Sequence, residues 1–247
     1  MSNTDFILAI EDLTVSFDGF KAVDDLTLYI DKGELRVIIG PNGAGKTTVL
    51  DLISGKTRAT SGSIRFNNIE LTKMKEHQIV RAGVGRKFQT PSIYGNLTVF
   101  ENLELSYPYG RNVFGSLRFK RSEEVVSKIF EVAKEIFLEE LLETEAEFLS
   151  HGQKQWLEIG MLLVQDPELI MLDEPVAGMT AKERDATAVL LKKIAKSRSI
   201  VIIEHDMGFV GKIADKVTVL HLGKIIKEGR MEEVQNDPTV KKVYLGH

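Results

Sequence analysis

The first third of the chain has the hydrophobic pattern of β-strands. Apolar and polar residues alternate over 7–17, which is typical of a half-buried strand, and Asp18-Gly19 favours a turn. A second strand is expected over 26–30, so the two predict an antiparallel β layer. Residues 35–39 are almost wholly apolar, as in a strand that is covered on both faces.

The pattern changes to a helical one in the middle of the chain and then back again. Helical spacing is found over 99–105, 125–137 and 156–164, whereas strands and helices alternate after 166. This organisation predicts one α/β domain with a helical lobe. Its predicted parts are an α/β core made of 1–89 and 166–247, and an inserted helical subdomain at 90–165.

Composition excludes several classes of protein. A formal net charge of -4 and an isoelectric point near 5.8 provide no general attraction to nucleic acid, so no nucleic-acid partner is expected. The absence of cysteine excludes disulfides and thiolate metal sites, and it suits a reducing cytosol. The five histidines lie too far apart for the short spacings of a zinc site.

The sequence also lacks the pattern of a membrane span. No segment approaches the roughly 18 consecutive apolar residues that a transmembrane helix needs. The polar residues 1–5 lead directly into the first strand-like segment, so we expect no signal peptide. Any link to a membrane is therefore expected to run through a partner protein.

A phosphate-binding motif follows the apolar strand. Residues 40–47 read GPNGAGKT and match the Gly-x4-Gly-Lys-Ser/Thr pattern between a predicted strand and a predicted helix. Glycines allow successive backbone N–H groups to turn toward a phosphate at the positive end of the helix. Lys46 is expected to reach the β- and γ-phosphates, and Thr47 to bind Mg²⁺. This motif predicts binding of a nucleotide.

Two acids end a later apolar strand. Residues 169–172 are apolar and are followed by Asp173 and Glu174, at the strand end where ligands bind in open α/β sheets. Asp173 is suited to the Mg²⁺ shell, and Glu174 to orienting the attacking water. Acids at strand ends also form turns, but the phosphate motif favours the functional interpretation.

Three further features identify a family. Residues 149–153 read LSHGQ and closely resemble the ABC signature LSGGQ, before a helix expected to begin near Gln153. Gln89 ends a strand as the family's Q-loop glutamine does, and His205 follows a strand as its switch histidine does. The order of these motifs is that of ABC ATPases, and the resemblance covers essentially the whole chain. It implies a P-loop NTPase (RecA-like) core with an N-terminal antiparallel β layer and an inserted helical subdomain.

Longer segments resemble one group within that family. Residues 85–91 (GRKFQTP), 97–103 (LTVFENL) and 173–180 (DEPVAGMT) are similar to ATPases of branched-chain amino acid and urea importers. Residues 152–160 (GQKQWLEIG) and 243–246 (VYLG) look most like the D-type ATPase subunit of urea importers. The resemblance therefore implies an importer ATPase, with urea as the expected solute.

The resemblance implies a set of site residues. It assigns catalysis to Lys46, Gln89, Glu174 and His205, and Mg²⁺ binding to Thr47, Gln89 and Asp173. It assigns nucleotide contacts to Phe17, Asn42, Gly43, Ala44, Gly45, Lys46, Thr47, Thr48, Ser150, Gly152 and Gln153. Alternatives from the residues themselves are a core position for Phe17, a polar strand end for Gln89 and a buried core histidine at His205.

The same resemblance implies cofactors and partners. Two ATPase subunits, identical or related, are expected to enclose two ATP molecules with Mg²⁺ head to tail, so that Ser150 meets the γ-phosphate held by Lys46 of the other subunit. Integral membrane permease subunits are the expected attachment, with a periplasmic solute-binding protein as an indirect partner. The expected location is the cytoplasmic face of the cell membrane.

Two positions depart from the family pattern. His151 replaces the first signature glycine, and we expect its side chain to be exposed and harmless. A second hypothesis is that His151 contacts phosphate and makes activity depend on pH in the usual titration range of histidine. The segment 177–180, called the D-loop here, lacks the aspartate that many relatives carry. Signalling across the dimer by that carboxylate is therefore not expected.

Three alternative functions stay open at this point. Transport alternatives are a branched-chain amino acid importer and a lipid-extracting exporter. A soluble ABC ATPase of DNA repair or translation is less compatible, because such proteins carry long coiled-coil arms or two cassettes. A P-loop kinase does not account for the segment 149–153.

Overall fold

The computed structural model describes residues 6–87, 93–108 and 122–245. Within them the chain forms two compact units, one built from the described residues of 1–86, 168–174 and 191–247, and one from the described residues of 87–167 and 175–190. The second unit takes in residues 175–190, which the sequence analysis places in the α/β core.

The elements follow in chain order. The strands are β1 (Phe6–Phe17), β2 (Phe20–Asp31), β3 (Leu35–Ile39), β4 (Ser61–Phe66), β5 (Ile69–Glu70), β6 (Val84–Lys87), β7 (Leu169–Asp173), β8 (Ser199–Ile203), β9 (Lys216–His221) and β10 (Lys224–Gly229). The α-helices are α1 (Lys46–Ile53), α2 (Glu76–Ala82), α3 (Val99–Ser106), α4 (Glu123–Glu135), α5 (His151–Leu163), α6 (Ala181–Ala195), α7 (Met207–Ile213), α8 (Met231–Asn236) and α9 (Pro238–Leu245). Short 3-10 helices lie at Glu139–Leu141 and Ala146–Phe148.

The first unit contains the predicted antiparallel layer. Strands β2, β1, β4 and β5 form a four-stranded sheet in that order, and the β1, β2 and β4 pairings are antiparallel. Strand β2 begins at Phe20, earlier than the expected 26–30, because the hairpin turn occupies only Asp18 and Gly19. Both turn residues have positive φ (49° and 88°), as tight hairpins with right-handed strand twist require.

The core sheet of this unit is mostly parallel. Its order is β10-β9-β3-β8-β7-β6, with parallel pairing from β9 through β7 and an antiparallel β10. Every residue of β3, β7 and β8 is buried, which is why these strands are mostly apolar rather than alternating. The exceptions are Arg36, Asp173 and Ser199, which are buried polar residues. The predicted α/β fold with its antiparallel layer is confirmed. The carboxyl ends of β3, β7 and β8 lie at the same edge of the sheet.

The second unit is mainly helical. Its helices α3, α4 and α5 pack through buried aliphatic side chains, and Gly160 permits a close approach at their crossing. A Cβ atom on Gly160 would lie 2.5 Å from Ile136 Cδ1, closer than side chains tolerate. The indole of Trp156 is buried, packs edge-on against Phe137 with ring centroids 5.6 Å apart and donates from Nε1 to Thr187 Oγ1 at 2.8 Å.

The described residues contain no helix that combines the length and apolar character needed to cross a bilayer.

Candidate functional site

The phosphate motif forms the connection from β3 to α1. Gly40 and Gly45 have φ of 154° and 97°, and a Cβ atom on either would lie within 2.4 Å of a backbone carbonyl oxygen, that of Leu220 or Ala22. Only glycine fits there. Gly45 is also the N-cap of α1 and has no side chain to accept from the first helical turn, so those amides face the loop. The loop has the geometry of an anion-binding cradle.

Lys46 lies over this loop. Its Nζ donates to the carbonyl oxygens of Gly40 at 2.8 Å and Pro41 at 3.0 Å. Burial lowers the pKa of the Lys46 ammonium, and the nearby charges of Glu174 and Asp173 act in the opposite direction. The cation therefore lies against the loop and within the electrostatic influence of the two acids, where a phosphate needs a counter-charge.

Thr47 and Asp173 meet beside the loop. Thr47 Oγ1 donates to Asp173 Oδ2 at 3.3 Å, although the two residues come from the start of α1 and the end of β7. Asp173 is only 3% exposed. A hydroxyl and a carboxylate are the oxygen ligands that Mg²⁺ takes at nucleotide sites, usually together with substrate phosphates. The pair fits the predicted metal site.

Glu174 and His205 form the second pair at this edge. Glu174 has a positive φ of 48°, and its N–H donates to the Ile203 carbonyl at 3.0 Å. A positive φ is uncommon for a glutamate, and such strain is concentrated at functional sites. His205 Nδ1 lies 3.5 Å from Glu174 Oε1, and both side chains are open to solvent, at 67% and 38% exposed. The alternative of a buried core histidine is therefore wrong.

A buried acid supports the backbone at His205. Glu204 is 1% exposed, and its Oε2 accepts from the N–H groups of His205 at 2.9 Å and Asp206 at 3.2 Å. Glu204 was not among the site residues predicted from the sequence. The available signal was an acid that directly follows the apolar residues of β8, next to the predicted histidine.

Phe17 is the last residue of β1 and is 49% exposed. The alternative interpretation of Phe17 as a core residue is thus wrong, and a half-exposed ring leaves a face for stacking. Asn42, Gly43 and Thr48 lie on or just after the loop, and Asn42 and Gly43 are exposed. Ala44 differs, because its side chain is buried and its N–H donates to the Pro41 carbonyl at 3.2 Å.

In the second unit the signature motif begins α5. The helix begins at His151, two residues before Gln153, because Ser150 is its N-cap. The Ser150 hydroxyl accepts from the Gln153 N–H at 3.2 Å, and Gln153 Oε1 accepts from the Ser150 N–H at 2.8 Å. This capping box satisfies two otherwise unpaired donors of the helix start. Gly152 follows in the first turn and is buried.

The signature contacts the D-loop and the start of α6. His151 is exposed, as expected, but its Nε2 lies 3.0 Å from the Ala177 carbonyl oxygen. The Ser150 hydroxyl donates to Glu183 Oε1 at 3.0 Å. The sequence analysis missed Glu183, although the spacing Thr180-x-x-Glu183 is that of a helix-capping box and indicates a helix start there.

The structure thus brings together five predicted residues in the α/β unit: Lys46, Thr47, Asp173, Glu174 and His205. Ser150, Gly152 and Gln153 are brought together in the helical unit. Gln89 lies outside the described residues, so its predicted roles in catalysis and Mg²⁺ binding stay predictions.

A family model described as "ABC transporter" matches residues 23–177, which is more than half of the chain. The chain belongs to the ABC transporter ATP-binding family. This family consists of ATP hydrolases, so the chain is an ABC ATPase. A second model, "Branched-chain amino acid ATP-binding cassette transporter", matches residues 224–247 of this ABC ATPase.

Named relatives agree with the family assignment. The ABC ATPase is 36% identical to a probable branched-chain amino acid transport ATP-binding protein of Archaeoglobus fulgidus, over 97% of this chain and 95% of the relative. It is 34% identical to the high-affinity branched-chain amino acid transport ATP-binding protein BraF of Pseudomonas aeruginosa, over 97% and 98% of the two chains. Neither name mentions urea.

Solved structures support the same fold. A nucleotide-free ATP-binding cassette from an ABC transporter has a TM-score of 0.84 and 33% identity, covering 98% of this chain and 100% of its own. An ATP-binding cassette of an ABC transporter in its ADP conformation has a TM-score of 0.87 and 33% identity, covering 98% and 99%.

Proposed function

We propose that this ABC ATPase energises the import of a small solute, and that branched-chain amino acids are its leading solute class. The observation that supports the ATPase engine is the convergence of Lys46, Thr47, Asp173, Glu174 and His205 at one sheet edge. The solute class rests on the names of the relatives and on the match over 224–247.

The catalytic step is assigned to this edge. Lys46 and the amides at the start of α1 bind the β- and γ-phosphates. Thr47 and Asp173, together with Gln89 by family resemblance, would hold Mg²⁺, which would supply charge neutralisation to the transferred phosphate. Glu174 orients the attacking water, and His205 holds the Glu174 carboxylate and donates to the γ-phosphate. Phe17 stacks on the adenine ring.

Each ATP site is completed by a second subunit. Ser150, Gly152 and Gln153 form the N-terminus of α5, and a helix N-terminus binds anions. In the proposed head-to-tail sandwich this end meets the γ-phosphate held by Lys46 of the other subunit. To move an open–closed equilibrium from 1:99 to 99:1, ATP must favour the closed form by about 5.5 kcal/mol. Hydrolysis removes those contacts and reopens the pair.

The proposed partners follow from this cycle. A second ABC ATPase subunit, identical or related, supplies the other half of each site. Integral membrane permease subunits convert closing and opening into transport, and a periplasmic solute-binding protein acts through them. The proposed location is the cytoplasmic face of the membrane, as a peripheral subunit.

Glu174→Gln tests the engine. The variant should bind ATP-Mg²⁺ like the parent chain, hydrolyse almost none of it and accumulate as a dimer that light scattering detects. Glu174→Gln combined with Lys46→Ala is the matched control, since it should stay monomeric at the same ATP concentration. If Glu174→Gln alone stays monomeric at saturating ATP-Mg²⁺, the sandwich of two identical chains is excluded.

A second candidate solute is urea, and the observation that favours it is the resemblance of residues 152–160 and 243–246 to urea-importer subunits. To distinguish the two candidate solutes, the complete transporter is purified in lipid and its ATPase rate is measured. Leucine with the solute-binding protein should stimulate the rate if the leading proposal is correct. Stimulation by urea and not by leucine would instead favour urea as the solute.

A further inference from the structure

The Glu183 carboxylate uses its two oxygens for different elements. Oε2 accepts from the Thr180 N–H at 2.9 Å and the Thr180 hydroxyl at 2.8 Å, and the Glu183 N–H donates back to Thr180 Oγ1 at 3.3 Å. These are the contacts of a capping box, and they account for the start of α6. Oε1 takes no part in this capping box.

Oε1 faces the signature motif. It accepts from the Ser150 hydroxyl at 3.0 Å. A Cβ atom on Gly152 would lie 2.4 Å from Oε1, so glycine at 152 is what lets the carboxylate reach the first turn of α5. Hydrogen bonds from Thr180, Ser150 and Gly152 lower the pKa of the Glu183 carboxyl, with the Thr180 N–H the largest cause. The group is therefore an anion at neutral pH.

The hydroxyl of Ser150 has one proton. It cannot donate that proton to Glu183 and to a phosphate at the same time. Glu183 therefore engages a donor that the proposed sandwich needs for the γ-phosphate. A phosphate arriving there also meets the negative charge of Glu183.

We propose that Glu183 is a positioning residue that holds the Ser150 hydroxyl in the separated subunit and competes with the γ-phosphate for it. This inference rests on the proposed sandwich. Closing of the dimer then requires the Ser150 proton to turn from Glu183 Oε1 to the phosphate, while Thr180 keeps Oε2. Because the Thr180 contacts remain, the start of α6 stays folded as the hydroxyl changes partner. Glu183 thereby raises the ATP concentration at which the dimer forms.

Glu183→Gln in the Glu174→Gln background tests the competition. Glutamine can still form a capping box. Its single acceptor oxygen cannot accept from Thr180 and from Ser150 together, and the side chain carries no charge. The ATP concentration for half-maximal dimerisation, measured by light scattering, should fall about fivefold, the size expected when one competing hydrogen bond of ordinary net strength is lost. Thr180→Val in the same background is the structural control, because it weakens the cap and leaves Ser150 in place.

If the dimer forms, two results would overturn the inference. One is an unchanged or higher ATP requirement in the Glu183→Gln variant. The other is an equal shift in the Thr180→Val variant, since the effect would then come from the start of α6 alone.

A double-mutant cycle on the isolated chain does not depend on dimerisation. Ser150→Ala, Glu183→Gln and the double variant are unfolded in urea without nucleotide. Their effects should be non-additive, by about fivefold in the unfolding equilibrium constant. Additive effects would show that Ser150 and Glu183 do not interact, and the inference would then be wrong. Failure of the Glu174→Gln chain to dimerise would count against the homodimeric sandwich alone.

Discussion

The ring nitrogen Nε2 of His151 lies 3.0 Å from the carbonyl oxygen of Ala177. A carbonyl only accepts, so His151 carries its proton on Nε2 and donates it. The substituted position of the signature is therefore joined to the D-loop by a hydrogen bond within one unit. An exposed position does not make this histidine free of contacts.

Replacing His151 should loosen the D-loop. His151→Ala removes the donor to Ala177, which is expected to cost about 1 kcal/mol locally. Amide hydrogen exchange over residues 176–180 should then be about fivefold faster. His151→Gln is the matched control, since its side-chain amide can place a donor near the position of Nε2. Equal protection in the Ala variant and the parent chain would contradict the role.

Gly45 should tolerate alanine far less well than Gly19. Both have positive φ, at 97° and 88°, so both substitutions carry the backbone penalty of about 1 kcal/mol. Only Gly45→Ala also drives a Cβ to 2.4 Å from the Ala22 carbonyl oxygen, whereas nothing lies within 4 Å at Gly19. Chemical denaturation should show Gly45→Ala to be the more destabilising variant, and nucleotide titration should show that it alone weakens ATP binding. Similar losses of stability would mean that the close approach is relieved by a small backbone shift.

Trp156→Phe should destabilise the helical unit. The substitution keeps an aromatic ring but removes the Nε1–H donor to Thr187 Oγ1, a buried pair at 2.8 Å. We expect a loss of about 1–2 kcal/mol in the free energy of unfolding. Thr187→Val is expected to cost a similar amount, and the double variant less than the sum of both. Strict additivity in the urea-unfolding cycle would argue against the bond.

The stability of the protein should depend on both partners of the buried ion pair of Lys87 and Glu158. Lys87 Nζ lies 3.0 Å from Glu158 Oε2, and the side chains are only 4% and 3% exposed. Lys87→Met leaves a buried carboxylate without its counter-charge and should cost about 3–5 kcal/mol. Adding Glu158→Met should recover most of that loss, because methionines fill a similar volume. Thermal unfolding of the parent chain and the two variants measures this, and a double variant as unstable as Lys87→Met alone would contradict it.

The Glu183 carboxyl should titrate below its usual range. Hydrogen bonds from the Thr180 N–H and hydroxyl lower its pKa, with a smaller contribution from Ser150. The stabilisation is therefore present above the ordinary glutamate range and is lost as pH falls through the lowered pKa. A ¹³C-carboxyl NMR titration should show this, and Thr180→Val should move the pKa upward. An unchanged value in Thr180→Val would assign the shift to other donors.

The local chemistry of the site could be predicted from sequence. The glycines and Lys46 of the phosphate loop, the acids that end β7 and the histidine after β8 all lie within short segments, and each segment is a strand end. Parallel strands end at one edge of a sheet, so polar residues that follow such strands, as Asp173 and His205 do, come to the same edge as Lys46.

The sequence by itself thus determined the α/β class, the phosphate loop and the family, since these depend on local patterns and on the order of motifs. Only the tertiary structure decided which partners the exposed polar residues take. The contacts from Ser150 to Glu183 and from His151 to Ala177 join positions 33 and 26 residues apart. Hydrogen bonds of this kind depend on how α5, the D-loop and the start of α6 pack, and no periodicity in the chain encodes that packing.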